Sequence, residues 1–545
     1  MKRSIFFTIC ILTLFSCNKI AKKNTKPKLV VGIVVDQMRY DYLTRFSNRF
    51  QDDGFKRFLN DGFSVENAHY NLIPTYTAVG HASIYTGTTP NNHGIISNNW
   101  YDKYLKKTIY CVDDDNYNTV GNSGKGGKKS PNRMFTTTLT DQLKLHQVSK
   151  GKTIGIAIKD RSAILPAGHT ANAAYWFDGG KKGQWITSSY YMNELPKWVG
   201  EFNNSKKTDE YLSKPWNTLY DINTYTASIS DNNAFEGLFK GETTPTFPHD
   251  IPNLMEKNGK YSILKTIPKG NTITVDFAKA AIIGENLGKS DYTDFLAVSF
   301  SSTDYVGHKY GPASIELEDT YLKLDRDLAD FFKFLDSNIG QGNYTLFLTA
   351  DHAAVHVPSY LQSLKIPAHY FKTREFRDAV KAITKKYFNA TDLVENISNY
   401  QLFFNKENIE KLGFTTTDVA NKLVEELINL EGVYKAVTAK TLQSGSFADG
   451  IMNSLQNGYN QKLSGDVMIV PYPATLTGGK TGTSHGSGYS YDTHIPMLFY
   501  GNGIEKGVSK KRYEIIDIAP TIANLLEIEA PNSSTGKIID EALKQ

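Results

Sequence analysis

Six short apolar segments of strand length are spaced along the sequence, with helix-like stretches between some of them. They are rich in Val, Ile and aromatic residues, which is typical of strands buried on both faces. The segments are KLVVGIVV, TIGIAI, AAYWF, DFLAVSF, YTLFLTA and PMLFYG. Residues 316 to 336 carry Leu, Tyr and Phe at the spacing of an amphipathic helix. This alternation predicts an α/β fold, a mainly parallel sheet with helices on both faces.

Aspartate and histidine residues occur in four separated stretches, each at the end of a predicted strand. They are Asp36, Asp304 with His308, Asp351 with His352, and His485. Loops at the carboxyl ends of strands carry the chemistry in such sheets. Carboxylate oxygens and imidazole nitrogens are ordinary zinc ligands, so the pattern predicts two metal sites that suit zinc. Two such ions about 4 Å apart stabilise the attacking and leaving oxygens of a displacement at phosphorus.

The segment PTYTAVGHASIYTG contains a candidate nucleophile. Pro74, Thr75 and Thr77 disfavour a helix at its start, whereas the residues after Thr77 can form one. Thr77 is therefore predicted at a helix N-terminus, where backbone N–H groups and the helix dipole favour an anion. A metal beside the hydroxyl would lower its pKa, so Thr77 would need no histidine base. The alternative role for a lone threonine at this position is a helix cap.

Two intervals interrupt the alternation of strands and helices. Residues 181–285 are turn-rich and aromatic and are predicted as an insertion near the site, whereas residues 362–480 are predicted as a small α+β insertion. The catalytic core would then comprise residues 28–180, 286–361 and 481–545. A chain of 545 residues is long enough for one large core with such inserted caps.

The first residues are typical of an export signal. Lys2 and Arg3 precede the apolar run IFFTICILTLF, which is too short for a permanent membrane span. The sequence LFSC resembles the lipobox of bacterial lipoproteins, so residues 1–17 are predicted as a signal of lipoprotein type, followed by a tether at 18–27. The alternative is an ordinary cleaved signal. We expect an exported protein, periplasmic or associated with the outer membrane, whose only membrane attachment would be a lipid on Cys17.

Charge and cysteine content limit the other partners. The formal net charge is +5 and no long run of Lys or Arg occurs, which argues against nucleic acid as a partner. Cys10 leaves with the signal, so a chain lipidated at Cys17 would retain only Cys111 as a free thiol and could form no internal disulfide. We expect a monomer.

Taken together, these motifs resemble the alkaline phosphatase superfamily. The motifs are DQ, PTYT, TGTTPNNHGI, the D-x-x-x-H pair, ADH and TSHGS. They are most similar to the phosphate-irrepressible, PafA-type alkaline phosphatases of flavobacteria, and the similarity covers nearly the whole chain after the signal.

The resemblance divides the metal ligands between two zinc ions. It implies one ion on Asp304, His308 and His485, and a second on Asp36, Asp351 and His352 with Thr77 completing the shell. It also implies that Thr77 attacks phosphorus to form a phosphothreonine, which is then hydrolysed with overall retention of configuration at phosphorus.

Lys159 and Arg161 favour a monoesterase over a diesterase. The segment IAIKDR predicts both side chains on the same side of the chain just after a strand. The pair resembles the Lys/Arg pair of PafA-type monoesterases, and Asn98 resembles their asparagine phosphate donor, with Asn99 as the alternative. A monoester dianion carries one more charge than a diester and gains more from fixed cations.

The sequence thus predicts a zinc alkaline phosphatase of broad specificity that releases inorganic phosphate from small phosphate monoesters. Two alternatives remain: a phosphodiesterase or nucleotide pyrophosphatase of the same superfamily, and a non-catalytic lipoprotein that binds phosphate or metal.

Overall fold

The computed structural model describes residues 26–544. The predicted signal, Cys17 and most of the tether lie outside the described residues. The strands are β1 (Leu29–Val35), β2 (Phe63–His69), β3 (Asn99–Asp102), β4 (Lys107–Tyr110), β5 (Thr119–Val120), β6 (Thr153–Ala157), β7 (Ala173–Asp178), β8 (Gln184–Ser188), β9 (Asp294–Phe300), β10 (Tyr344–Thr349), β11 (His369–Tyr370), β12 (Val394–Ser398), β13 (Gln401–Phe404), β14 (Val433–Thr438), β15 (Val467–Pro471), β16 (Thr475–Leu476), β17 (Met497–Gly501) and β18 (Gly507–Glu514).

Helices connect and cover these strands. They are α1 (Tyr42–Arg45), α2 (Phe55–Asp61), α3 (Thr77–Thr86), α4 (Pro90–His93), α5 (Leu139–His146), α6 (Asp160–Ala167), α7 (Lys197–Asn204), α8 (Lys207–Leu212), α9 (Ile251–Leu254), α10 (Lys269–Gly284), α11 (Ser302–Tyr310), α12 (Ile315–Leu335), α13 (Pro358–Ser363), α14 (Thr373–Phe388), α15 (Lys406–Lys411), α16 (Thr416–Leu427), α17 (Ala439–Ser444), α18 (Gly450–Gly458), α19 (Ser490–Thr493) and α20 (Ile518–Leu525). Between residues 26 and 544, none of them is long and apolar enough to cross a membrane.

The main sheet has ten strands in the order β18-β2-β17-β10-β1-β9-β6-β7-β8-β5. Its five central strands, from β10 to β7, are parallel to one another, whereas β17, β8 and β5 pair with their neighbours in antiparallel fashion. All seven residues of β1 are buried because the run LVVGIVV has no polar side chain to place in water. The predicted α/β fold with a mainly parallel sheet and flanking helices is confirmed.

The interval 362–480 contains a separate four-stranded antiparallel sheet in the order β12-β13-β15-β14. Helices α14 and α16 cover this sheet, and Leu402, Leu423 and Ile469 belong to its own apolar core. Strand β11, near the start of the interval, pairs in parallel with β16, near its end. The chain therefore enters and leaves this unit at adjacent positions.

The interval 181–285 is not wholly an insertion. Strand β8 lies within it and pairs with β7 at the edge of the main sheet, and α10 packs against β9. The five residues QWITS were too short and too mixed in polarity to be recognised as a strand from sequence. Between β8 and α10 the chain forms short helices and turns, as the composition of that stretch indicates. The domain boundaries themselves stay predictions.

Four adjacent parallel strands position the polar residues singled out above. Asp36 follows β1, α11 follows β9, Asp351 follows β10 and Lys159 follows β6. Because β10, β1, β9 and β6 are neighbours and run in the same direction, the residues at their carboxyl ends meet at one edge of the sheet.

Candidate active site

Carboxylates and imidazoles form two overlapping groups at this edge. The potential ligand atoms of Asp36, Asp351 and His352 all lie within 4.8 Å of one another, and those of Asp304, His352 and His485 form a second such group. The three aspartates are almost fully buried. Residues that are far apart in sequence thus form two sites of the predicted Asp/His character.

The hydrogen bonds of the histidines prepare one ring nitrogen for a metal. In His308, His352 and His485 the Nδ1 atom contacts a backbone carbonyl, which can only accept, so Nδ1 carries the hydrogen. The acceptors are Thr483 O at 2.7 Å, Ala353 O at 3.1 Å and Thr75 O at 2.7 Å, respectively. In its neutral form each ring then presents the lone pair of Nε2, and a carbonyl on the opposite nitrogen is the usual arrangement in metal-ligating histidines.

Unpartnered polar atoms support a cation at this position. Asp36 Oδ1, Asp351 Oδ2 and His352 Nε2 are buried and have no hydrogen-bond partner. Buried polar atoms are normally paired, and an unpaired carboxylate is costly. These three unpartnered oxygen and nitrogen atoms belong to the same Asp/His group, and they are ligand types that suit a divalent metal such as zinc.

The pKa values of the buried aspartates and of His485 also favour a cation at this position. Burial raises the pKa of Asp36 to about 6, although Lys159 opposes the shift, and burial together with the charge of Asp36 raises the pKa of Asp351 well above its usual value. Burial lowers the pKa of His485 to about 3, so this ring stays neutral. Carboxylates that repel one another in a buried place require a nearby cation to remain ionised.

His308 lies next to the second group but is not a member of it. It sits one turn after Asp304 on α11, with His308 Nε2 3.1 Å from Asp304 Oδ1. In its place, His352 lies in both groups, and its ring stacks on that of His485 with centroids 3.4 Å apart. All six predicted ligands are therefore close together, and the same oxygen, Asp304 Oδ1, also lies 3.7 Å from His485 Nε2.

Thr77 is the first residue of α3 and is buried. This helix approaches the end of β10 closely at Gly80, where an added Cβ would lie only 2.1 Å from the backbone oxygen of Asp351. Glycine is needed here because any side chain would push the helix, and Thr77 with it, away from Asp351. The predicted helix N-terminus at Thr77 is thus present, and it lies beside the Asp/His groups.

Three polar side chains surround the start of α3. Thr77 Oγ1 lies 3.5 Å from Lys159 Nζ and 3.4 Å from Arg161 Nη2. Asn98 Oδ1 accepts a hydrogen bond of 2.8 Å from Ala78 N, which leaves the amide Nδ2 of Asn98 free to donate elsewhere. Lys159 and Arg161 therefore converge on the hydroxyl of Thr77, and Asn98 is held at the neighbouring backbone N–H of Ala78.

The sequence predicted that Lys159 and Arg161 lie on the same side because side chains alternate along an extended chain, and this explanation is wrong. The two residues do not alternate along a strand, because Lys159 is the N-cap of α6 and Arg161 lies in the first turn of this helix. Lys159 Nζ also lies 2.5 Å from Asp304 Oδ2 and 2.7 Å from Asp36 Oδ2, so it connects the two groups. Burial opposes the charge of Lys159, but these carboxylates raise its pKa and keep it protonated.

Tyr110 and Gln37, for which the sequence predicted no role, support this arrangement. Tyr110 OH accepts a hydrogen bond of 3.1 Å from Arg161 Nη1, and Gln37 donates to two of the aspartates. Tyr110 carried no recognisable signal because it is 51 positions from Arg161. His81 also contacts Thr77 O at 2.8 Å and lies 3.4 Å from Asp351 Oδ2.

An α/β sheet with two Asp/His groups and a threonine at a helix N-terminus defines a metal-dependent hydrolase of the alkaline phosphatase superfamily. The chain belongs to the type I phosphodiesterase / nucleotide pyrophosphatase family, which it matches over residues 30–493.

Individual relatives have more specific names than the family description. The chain is 46% identical to alkaline phosphatase PhoV of Synechococcus elongatus, over 95% of this chain and 93% of PhoV. The crystal structure of alkaline phosphatase PafA has a TM-score of 0.92 at 44% identity and covers 95% of this chain and 99% of PafA. A further structure of PafA carries replacements of a threonine, an asparagine, a lysine and an arginine. A protein of Myroides odoratus named calcium-transporting ATPase is 48% identical over 99% of this chain and 98% of its own length.

These similarities confirm the predicted resemblance to PafA-type alkaline phosphatases. They also confirm the prediction of an enzyme, a hydrolase of the alkaline phosphatase class.

Proposed function

We propose that this protein is a zinc-dependent alkaline phosphatase that hydrolyses small phosphate monoesters through a phosphothreonine intermediate and has broad specificity. One observation carries the proposal: the hydroxyl of Thr77, at a helix N-terminus beside two Asp/His groups, lies within 3.5 Å of both Lys159 and Arg161. A nucleophile, metal ligands and fixed cations at one point are the parts that transfer of a dianionic phosphoryl group requires.

The chemistry would proceed in two displacements. Thr77 Oγ1 forms a bond to phosphorus as the ester bond breaks and the alcohol leaves, and water then cleaves the phosphothreonine and releases inorganic phosphate. Two inversions at phosphorus give overall retention. When bound, two zinc ions would supply the positive charge that lowers the pKa of hydroxyl groups and neutralises charge on the phosphoryl oxygens. We assign them to Asp304, His308 and His485, and to Asp36, Asp351 and His352 with Thr77.

Asn98, Lys159 and Arg161 would hold the phosphoryl oxygens that do not react. The carbonyl oxygen of Asn98 is occupied by Ala78 N, which supports the amide Nδ2 as the phosphate donor. The guanidinium of Arg161 can donate two parallel hydrogen bonds, which suits phosphate. The four residue types replaced in the PafA variant occur here in the same order, as Thr77, Asn98, Lys159 and Arg161.

The names of the relatives bear on the range of substrates. The terminal phosphoryl group of ATP carries the same charge as a phosphate monoester dianion, so the ATPase name of the Myroides relative is compatible with the same site. The family description includes diesterases and nucleotide pyrophosphatases, and this activity is the alternative. A diester has one charge fewer and would gain less from Lys159 and Arg161.

The double variant Lys159→Ala, Arg161→Ala tests the proposal. Loss of charge-assisted hydrogen bonds to the transition state costs on the order of 2–4 kcal/mol, or roughly 30- to 1000-fold in rate. We expect kcat/KM to fall by that factor for a phosphate monoester and by much less for a diester. Steady-state kinetics with p-nitrophenyl phosphate, its bis-ester and ATP, after zinc analysis of each preparation, provide the measurement.

A matched control is the double variant Lys372→Ala, Arg374→Ala, which has the same residue types and spacing on the exposed side of the insertion. It should leave both activities unchanged. Equal losses on monoester and diester in the Lys159, Arg161 variant at full zinc content would mean that these residues support the metals or the fold and do not recognise phosphate charge. A diester rate above the monoester rate in the unmodified protein would favour the diesterase alternative.

A further inference from the structure

Gln37 has an unusual backbone conformation at the centre of the site. It directly follows Asp36, is buried, and has a φ of 65°, in the left-handed region that residues other than glycine seldom adopt. Such a conformation costs of order 1–3 kcal/mol and persists only where surrounding contacts enforce it.

Gln37 donates hydrogen bonds to one carboxylate of each Asp/His group. Its backbone N–H contacts Asp351 Oδ1 at 3.1 Å, and its side-chain Nε2 contacts Asp304 Oδ1 at 2.7 Å. Both bonds are buried, where hydrogen bonds to a charged acceptor are strong. The positive φ is the turn that allows the backbone and the side chain of one residue to reach both carboxylates.

Helix α11 leaves space for the side chain of Gln37. An added Cβ on Gly307 would lie 2.0 Å from Gln37 Oε1, so the amide packs directly against Gly307. Asp304, Gly307 and His308 are related by the i, i+3, i+4 spacing and share one face of the helix. The Gln37 amide is thus held against the helix face that carries two of the predicted ligands.

We propose that Gln37 is a positioning residue that fixes the orientation of the Asp304 carboxylate, and that it acts on Asp304 through its side chain and on Asp351 through its backbone. Asp304 Oδ1, to which Gln37 donates, is the oxygen that lies 3.1 Å from His308 Nε2 and 3.7 Å from His485 Nε2. The proposal rests on the proposed function, because it concerns the metal ligands named there.

The two actions of Gln37 can be separated by mutation. Every residue other than proline keeps the backbone N–H, so a side-chain change removes the hydrogen bond to Asp304 and keeps the donor that reaches Asp351. Loss of a partner that orients a metal ligand typically lowers metal affinity 10- to 100-fold. Gln37→Met, which is close in size but has no amide, should therefore weaken one zinc site by about that factor and leave the other unchanged.

The experiment is a zinc titration of the metal-depleted full chain against a chromophoric chelator, with zinc per chain measured independently. Gly307→Ala provides a second route, because its methyl group would displace the Gln37 amide from α11. Gly200→Ala and Gln461→Met are controls: a Cβ on Gly200 meets nothing within 4 Å, and Gln461 is exposed. Both controls should bind two zinc ions with the affinity of the unmodified protein.

A combined variant identifies the affected site. Asp304→Asn should remove one zinc ion, and adding Gln37→Met to it should leave the remaining zinc affinity within about twofold, because both changes act on the same site. Unchanged zinc binding in Gln37→Met, or equal weakening of both sites, would overturn the inference. If Gln37→Met does not fold, Gly307→Ala decides by the same criteria. Absence of zinc binding or of monoesterase activity in the unmodified protein would instead contradict the proposed function.

Discussion

Replacement of Thr77 by Ala is expected to abolish phosphoenzyme formation and to reduce kcat by on the order of 10⁶-fold, as loss of a catalytic nucleophile can do in another hydrolase. The reason is that Thr77 Oγ1 is the hydroxyl on which Lys159 and Arg161 converge. Thr77→Ser keeps a hydroxyl at the start of α3 and should retain substantial activity. The measurement is an acid quench during turnover of a labelled monoester, followed by mapping of the labelled peptide.

Thr75 provides the internal control for this assignment. Its hydroxyl donates to Ser487 O at 2.9 Å and is therefore occupied in holding the loop after His485. Phosphate recovered on Thr75, or on any residue other than Thr77, would refute the assignment of the nucleophile. Normal labelling of the Thr77→Ala variant would do the same.

Removal of the metal should have an effect of similar size. Both displacements need positive charge on the attacking and leaving oxygens, so exhaustive chelation should abolish activity and zinc should restore it. His308→Ala and Asp351→Ala should each lose one zinc ion and most turnover. Metal analysis of the purified variants together with monoesterase kinetics provides the measurement.

Asp52→Ala is a suitable control for the ligand variants, because this side chain is 91% exposed. It should retain full zinc content and rate. Activity that survives chelation would contradict the two-zinc proposal as a whole. A His308→Ala protein with two zinc ions and near-normal turnover would contradict only the assignment of His308, which the structure leaves outside the two groups of ligand atoms.

The central sheet could be predicted because its strands are buried on both faces and contain continuous apolar runs. Strands at the edges lack this signal: β18 has the sequence GVSKKRYE, with most of its residues at least partly exposed. Its pairing with β2 depends on the packing of the whole sheet, not on local pattern. Edge strands were therefore missed where central ones were found.

In the candidate site, too, some features could be predicted from the sequence and others could not. Asp36 and Asp351 could be identified because polar residues right after buried strands stand out against the apolar run, and Asp304 because it begins a D-x-x-x-H pair shortly after such a strand. The contacts among the side chains could not, because they depend on the tertiary arrangement. The left-handed turn at Gln37 has no local signature, since glycine or asparagine is the residue type that usually indicates one.

The parallel pairing of β11 with β16 has a consequence for how proteins of this architecture can diverge. The two ends of residues 362–480 are already side by side in the folded core. The number of residues between them therefore has little effect on the entropic cost of closing this segment. Material could be added to, removed from or exchanged within this unit while His352 and His485, on either side of it, keep their places. The unit is thus a natural position for lineage-specific variation, and we expect insertions and deletions among relatives to concentrate there.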